Sequence, residues 1–320
     1  DTIMDCCCGT GTIPKVALQI KKSMFDARSA IESVWACDKY QYPLQVANIS
    51  MADSKFMNHA NRIFQHNALS LEIGEKISIT NPENGKQMEL QLPSFGTIVS
   101  NLPFVSFEVI PDDDKAEINK NSQCSNMDGR SDLYCYIAVI IAKMLRNNGI
   151  LGIITSNSWL GTNTGAKFVE SLLNEYDLLQ VHISGKGRWF QNADVVTTIL
   201  ILKKSVIDRI DSTQFFLWKR SLEDFEKHIE DENKLINSAF LGKELDSEIV
   251  EVATYSKKEM EKLLSLNISY NALFHKIDWL LSVQSKIIQI DKVFNVFRGS
   301  RRGWDAMFYP KDGEHNIESR

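Results

Sequence analysis

The sequence predicts an α/β fold with a doubly wound, mostly parallel sheet, followed by a helical linker and the start of a further domain. Two observations support this prediction. Segments of strand character alternate with helical segments over about 200 residues, which is the pattern of a parallel sheet covered by helices. The run 150–155 is continuously apolar, as expected for a strand buried on both faces. Ligands bind such sheets at the carboxyl ends of the strands, so polar residues there are candidate site residues.

The composition is that of a globular protein, with 43% hydrophobic and 24% charged residues. No apolar run approaches the roughly 18–20 residues that span a membrane. A net charge of −5 argues against general coating of nucleic acid but permits a local basic face. Three of the six cysteines are adjacent and none forms a C-x-x-C pair, so we predict no metal site and expect reduced thiols in a cytoplasmic protein. Because Asp1 stands inside a predicted strand, we expect an upstream segment to be missing.

The first predicted unit is a strand over 2–4, a loop of small residues and a helix over 13–25. The loop runs from Asp5 to Thr12 and contains Gly9 and Gly11. A strand, a Gly-x-Gly loop and a helix begin a nucleotide-binding unit, although the third glycine of the dinucleotide fingerprint is absent. There is no Gly-Lys-Ser/Thr sequence, which excludes a loop for nucleoside triphosphates.

The second and third units each end in a polar residue. A strand over 32–37 ends at Asp38, whose carboxylate either grips a ribose diol or caps the helix predicted near 43–51. A strand over 62–66 is followed by Asn67, whose amide offers the donor and the acceptor needed to bind an adenine edge. A β-hairpin is predicted over 77–92, around the sequence Asn-Pro-Glu-Asn-Gly.

The fourth unit ends in an unusual corner, where a strand over 96–100 runs into Asn101, Leu102, Pro103 and Phe104. The proline removes a backbone donor and keeps Leu102 out of the helical region, which holds the Leu102 carbonyl beside the Asn101 carboxamide. Two acceptors next to a flat ring suit a planar base with an exocyclic amine. The alternative is an ordinary turn from a strand into a loop.

The rest of the chain divides into three parts. The polar stretch 111–130 is predicted to be a mobile loop that serves as a lid. Helices at 133–146 and 167–174 alternate with strands at 150–155, 178–183, 195–202 and 215–218, and helix is expected from 222 onward. We predict a catalytic domain over 1–240, a helical linker over 241–285 and the start of another domain over 286–320.

Residues 286–311 carry a surplus of four positive charges with aromatic residues between them. The basic residues are Lys286, Lys292, Arg298, Arg301, Arg302 and Lys311, and the aromatic ones are Phe294, Phe297, Trp304, Phe308 and Tyr309. This mixture favours a loop that contacts nucleic acid, with an ordinary strand and loop as the alternative.

These motifs, in this order, resemble the gamma-class amino-methyltransferases of restriction–modification systems, which methylate N6 of adenine in DNA. The resemblance rests on Asp5-x-x-x-Gly9-x-Gly11, Asp38, Asn67 and the corner 101–104, and continues through 131–134, 149–160 and 190–199. It covers about residues 1–205 and implies the Rossmann-like fold of S-adenosylmethionine-dependent methyltransferases. Residues 297–309 look like the entry to the target recognition domain of those proteins.

The resemblance also implies roles for single residues. The turn of Asp5, Cys6, Gly9, Thr10 and Gly11 would wrap the methionine part of S-adenosylmethionine, Asp38 would take the ribose hydroxyls, and Asn67 would lie by the adenine ring. Asn101 and the Leu102 carbonyl would accept the hydrogens of the target amine beside Pro103, while Phe104 stacks on the flipped base and Phe190 packs on its edge. Arg298, Arg301, Arg302 and Trp304 would contact double-stranded DNA, and restriction or specificity subunits would be further partners.

The chain departs from the family pattern in three ways. Leu102 replaces the usual proline after the asparagine, Asn67 replaces the acid after the third strand, and the family's segment upstream of the glycine loop is absent. Two alternatives therefore stay open. One is a protein-glutamine or RNA N-methyltransferase, which shares the Asn-x-Pro-aromatic corner, and the other is a catalytically decayed DNA-binding component.

Overall fold

The computed structural model describes residues 1–190, 195–205, 210–221, 234 and 248–295. The chain divides into two compact units, Asp1–Asp278 and Trp279–Arg320. Within the described ranges, no helix combines the length and the apolar character needed to cross a bilayer.

The first unit contains eleven described strands. They are β1 (Ile3–Asp5), β2 (Val34–Asp38), β3 (Arg62–Gln65), β4 (Lys76–Thr80), β5 (Gln87–Gln91), β6 (Phe95–Asn101), β7 (Leu145–Ser156), β8 (Asp177–Ser184), β9 (Thr197–Lys203), β10 (Ser212–Trp218) and β11 (Val250–Ser256). The described α-helices of this unit are α1 (Thr12–Met24), α2 (Ala27–Ser33), α3 (Gln41–Ser50), α4 (Asp112–Lys120), α5 (Leu133–Ile140), α6 (Asn163–Glu175) and α7 (Lys257–Ser265).

Nine of these strands form one sheet in the order β11-β10-β8-β9-β7-β6-β1-β2-β3. The five neighbouring strands β7, β6, β1, β2 and β3 are parallel to one another. Strand β9 is antiparallel to both of its neighbours, β7 and β8, and β10 is parallel to β8. The predicted α/β fold with a mostly parallel, doubly wound sheet is therefore confirmed. The hairpin of β4 and β5 forms a separate two-stranded sheet, as its turn sequence predicts.

Helices cover the sheet because apolar residues recur on their inner sides. All eight residues of α5 are buried, and β2 is buried from Val34 to Cys37. Leu18 of α1, Ile31 of α2 and Leu44 of α3 pack into one apolar cluster with β2. The sheet and the helices packed on it place the polar ends of β1, β2, β3 and β6 at one edge of the sheet.

The prediction of a mobile loop over 111–130 is wrong, because this stretch contains α4 and a short 3₁₀ helix, Ser122–Cys124. Three aspartates in the first turn of α4 offset the partial positive charge of its N-terminus. Ile118 is the buried apolar side chain of this helix. Helix α2 was not predicted either; the Asp26 carboxylate caps it by accepting the Ser29 amide at 3.0 Å.

The structure differs from the predicted boundary at 240, and the predicted helical linker over 241–285 contains the strand β11. Strand β11 pairs with β10 over seven residues and adds a further strand to the main sheet. Phe215 of β10 packs edge-on against Tyr255 of β11 and against Phe274. The first unit therefore extends to Asp278. Apart from residue 234, the helix predicted from 222 onward lies outside the described residues as far as 247.

The second unit, described as far as residue 295, begins with the short helix α8 (Trp279–Val283) and two 3₁₀ helices, Gln284–Lys286 and Ile290–Lys292. Arg298, Arg301, Arg302 and Trp304 lie outside the described residues. The predicted recognition loop therefore stays a prediction.

Candidate active site

A cavity of about 500 Å³ opens where β1, β2, β3 and β6 end. The structure brings five of the predicted site residues to its wall: Cys6, Asp38, Asn67, Asn101 and Pro103. Apolar side chains complete much of the lining, among them Pro43, Leu69, Val109, Leu133 and Ile137. This is the position that the parallel topology predicts for a ligand.

The glycine loop after β1 has the backbone that its sequence predicts. Gly9 and Gly11 have φ values of 51° and 88°, which side chains disfavour. A Cβ atom on Gly11 would lie 2.9 Å from the Ala47 Cβ atom, so the absent side chain lets α3 approach the loop. Neither glycine, nor the exposed Thr10, lines the cavity; the loop reaches it through Cys6 and Cys7.

Asp5 lies in the interior and not on the cavity wall, with only 2% of its surface exposed. Its Oδ1 atom accepts hydrogen bonds from the Ser100 hydroxyl at 2.6 Å and from the Cys7 amide at 3.1 Å. Burial raises the pKa of Asp5 to about 7; these two hydrogen bonds oppose the rise, and the nearby Asp38 charge adds to it. Asp5 thus joins the loop to β6 and does not line the cavity.

Asp38 supports the loop from the neighbouring strand. Its Oδ2 atom accepts the Gly9 amide at 3.0 Å and its Oδ1 atom accepts the Tyr40 amide at 3.0 Å. Its carboxylate is half-buried and lines the cavity. Each carboxylate oxygen has a second lone pair, so both can still accept a hydroxyl from a ligand.

Asn67 lies at the wall as predicted, but both ends of its amide are engaged. Its Oδ1 atom accepts the Leu69 amide at 3.1 Å, and its Nδ2 atom donates to the Asp114 Oδ1 atom at 2.7 Å. The Lys39 ammonium reaches the same Asp114 oxygen at 2.9 Å. Lys39 and Asp114 were not among the predicted site residues. The run of aspartates that begins α4 is the signal that could have indicated this helix.

The corner after β6 presents its amide to the cavity. The Asn101 side chain is exposed and lines the cavity, and its carboxamide has no hydrogen-bond partner among the described residues. The Leu102 side chain is buried and its amide donates to the Ile154 carbonyl at 3.2 Å, which attaches the corner to β7.

The aromatic residue of the corner points to a different neighbour. Phe104 does not line the cavity at the strand ends; it packs edge-on against Tyr134, with ring centroids 6.5 Å apart. Tyr134 lines a second cavity of about 210 Å³ together with Phe107, Arg130 and Asp132. Burial raises the pKa of Asp132, whose carboxylate accepts the Phe107 amide. Phe190 is 36% exposed and lines neither cavity, so its predicted contact is not assembled in this structure.

A sheet of this order, with β9 reversed between parallel strands, β11 reversed at its edge and a glycine loop facing an acid, defines the class of Rossmann-like α/β methyltransferase folds. The family model described as Eco57I restriction-modification methylase matches residues 14–190, which is more than half of the chain. The chain therefore belongs to the Eco57I restriction-modification methylase family.

The chain is also similar to several known proteins, of whose length it spans only a part. A Type II methyltransferase, M.BanIII of Aneurinibacillus aneurinilyticus, is 31% identical over 96 residues, which cover 30% of this chain and 16% of the relative. The type IIG restriction endonuclease BpuSI aligns with a TM-score of 0.58 and 16% identity, covering 84% of this chain and 29% of that one. A type I restriction-modification methyltransferase subunit from Streptococcus thermophilus aligns with a TM-score of 0.57 and 17% identity, covering 85% and 53%. At these identities the two structures show the shared fold.

Proposed function

We propose that this chain is the catalytic part of an S-adenosylmethionine-dependent DNA methyltransferase that modifies N6 of adenine in a restriction–modification system. The observation that carries the proposal is the free Asn101 carboxamide on the wall of a cavity that also contains Asp38 and Asn67. Membership of a restriction-modification methylase family supports the substrate and the system. Double-stranded DNA and restriction or specificity subunits are the partners we infer.

The cavity fits the cofactor in size and in chemistry. When bound, S-adenosylmethionine supplies a methyl group on a positively charged sulfur. The Asp38 carboxylate would accept the ribose hydroxyls, and the backbone at Cys6 and Cys7 would border the methionine part. Apolar side chains such as Leu69 and Ile137 would enclose the adenine ring.

The corner 101–104 would activate the target amine. An aromatic amine is a weak nucleophile because its lone pair is delocalised into the ring. The Asn101 Oδ1 atom and the Leu102 carbonyl would each accept one N–H of the amine, which draws the nitrogen toward tetrahedral geometry and stabilises the positive charge that develops on it. The nitrogen then releases one proton to solvent. Holding the reacting atoms in line supplies much of the remaining acceleration.

The target base must leave the duplex to reach this corner, which costs a few kcal/mol. Stacking on Phe104 would offset part of that cost. In the structure, Phe104 packs against Tyr134, whose hydroxyl forms hydrogen bonds with Ser156 and Ser158. These contacts hold the Phe104 ring next to the corner, where a flipped base would arrive.

Radioactive methyl transfer tests this function and separates it from the alternatives. We expect labelled methyl groups to pass from S-adenosylmethionine to adenine in double-stranded DNA and not to RNA or protein. Asn101→Ala should lower transfer at least about 100-fold, because it removes an acceptor that acts mainly in the transition state. Its affinity for S-adenosylhomocysteine, measured by calorimetry, should stay within a few fold.

Asn84→Ala is the matched control, because Asn84 lies in the exposed turn of the hairpin β4–β5 and should not affect transfer. Undiminished transfer by Asn101→Ala would remove that residue from the mechanism. Transfer to RNA or protein in place of DNA would favour the first alternative, and cofactor binding without any transfer would favour the decayed component.

A further inference from the structure

The Asn67 amide makes one hydrogen bond within the protein at each of its ends. The Oδ1 atom caps the short helix Ala68–Ser70 by accepting the Leu69 amide. The Nδ2 atom donates to Asp114 at 2.7 Å, which is a short bond to a charged acceptor. One N–H and one oxygen lone pair of the amide stay unused, but Leu69 and Asp114 fix its orientation from both ends.

Asp114 is a buried carboxylate on the wall of the same cavity, and one of its oxygens is unpaired within the residues that the structure describes. Only 4% of its side chain is exposed, and it lines the same cavity as Asn67. Its Oδ1 atom receives both Asn67 and Lys39, whereas its Oδ2 atom has no hydrogen-bond partner in the part of the chain that the structure describes. A carboxylate that keeps free acceptor capacity thus lines a largely apolar cavity.

We propose that Asp114 is the residue that selects the nucleobase of the cofactor, by accepting a hydrogen bond from the exocyclic amine of adenine. This inference rests on the proposed function, since it assumes an adenine nucleoside in the cavity. An amino group donates to a carboxylate, while a 6-oxo group would place an acceptor against an acceptor. The carboxylate therefore favours an adenosyl ligand over an inosyl ligand.

Two neighbours hold the Asp114 carboxylate in place through its Oδ1 atom. Lys39 supplies a positive charge at 2.9 Å, and it stands directly after Asp38, the acid proposed for the ribose. Asn67 holds the same Oδ1 atom from the end of β3. In the family pattern an acid follows the third strand; here Asn67 occupies that position, and α4 brings a carboxylate to it from elsewhere in the chain.

The test compares two ligands that differ at one position of the base. Binding of S-adenosylhomocysteine and of S-inosylhomocysteine to the whole chain is measured by calorimetry, for the wild type and for Asp114→Asn. The wild type should prefer the adenosyl ligand. The variant should lose that preference by about 10- to 100-fold, because a charge-assisted bond is lost and the new amide group can donate to the 6-oxo group.

Asp113→Asn is the matched control, since Asp113 also pairs with Lys39, at 2.8 Å, but is exposed and does not line the cavity. Its ligand preference should equal that of the wild type. If Asp114→Asn weakens both ligands equally, Asp114 only supports Asn67 and the inference is overturned while the proposed function stands. If the wild type binds neither ligand, the proposed cofactor is wrong and the inference is rejected with it.

Discussion

Two carboxylates that end neighbouring strands differ because of what surrounds them. Asp5 ends β1 in the interior, where it receives the Ser100 hydroxyl and the Cys7 amide. Asp38 ends β2 at the cavity wall, where it receives the Gly9 amide and keeps lone pairs for a ligand. Burial thus makes the first a structural group, whereas the second is available for binding.

The raised pKa of Asp5 predicts a pH dependence of stability. The carboxyl titrates near 3.8 in the unfolded chain and at about 7 in the folded one, so the folded state binds more protons between these values. The free energy of unfolding should therefore fall as the pH rises from about 4 to about 7, by at most about 1.4 kcal/mol per pH unit from this group. Asp5→Asn should remove that contribution, as urea unfolding at several pH values would show.

Asp26→Asn is the control for this measurement. Hydrogen bonds with Ser29 lower the pKa of Asp26, so its titration falls below the pH range in question. The slope between about pH 4 and 7 should match that of the wild type. An Asp5→Asn curve parallel to the wild-type curve over that range would mean that Asp5 is ionised in the folded protein.

At the scale of elements, helix α4 contributes to the cavity wall and strand β11 forms one edge of the sheet. Helix α4 has one inward apolar residue, Ile118, and docks through Lys39, Asn67 and its own Asp114. Strand β11 packs mainly through apolar contacts, since its residues Val250, Val252, Ala253 and Tyr255 are all buried. Both elements depend on partners far away in the chain.

The position of β11 predicts where the chain can be cut. A protein ending at residue 240 lacks β11, α7 and the buried Leu273 and Phe274, which exposes one side of Phe215. Losing a single buried side chain costs about 2–5 kcal/mol, against a total stability of about 5–15 kcal/mol. We expect the chain 1–240 to show no cooperative thermal unfolding by circular dichroism. The chain 1–278 should unfold cooperatively; equal behaviour of the two would contradict the role given to β11.

At the scale of the whole molecule, charge is distributed unevenly along the chain. The net charge is −5, yet residues 286–311 carry a surplus of four positive charges beside aromatic residues. This basic segment begins in the second compact unit, which is separate from the unit that holds the cavity. We infer that DNA affinity and the chemistry of transfer can be changed independently.

Substitution of the two adjacent arginines tests that inference. Arg301→Ala combined with Arg302→Ala should weaken DNA binding and reduce the slope of log affinity against log salt by about two, because each phosphate contact contributes about one. Fluorescence anisotropy over a range of salt concentrations measures this slope. Arg28→Ala is the control, because its exposed guanidinium in α2 already pairs with Glu32. An unchanged slope in the double variant would place the segment away from the nucleic acid.

The sequence by itself determined which segments form the strands β1 to β10, the glycine loop, the hairpin and the corner at Asn101, because each has a local pattern of apolar spacing or turn residues. The order of the strands in the sheet came from the tertiary structure. Only the tertiary structure decided that Asp5 is interior, that Asn67 is already engaged and that Asp114 stands in the cavity. It also decided that β11 belongs to the sheet. The physical reason is that the role of a polar side chain depends on partners distant in sequence, whereas strand and turn propensities are properties of adjacent residues.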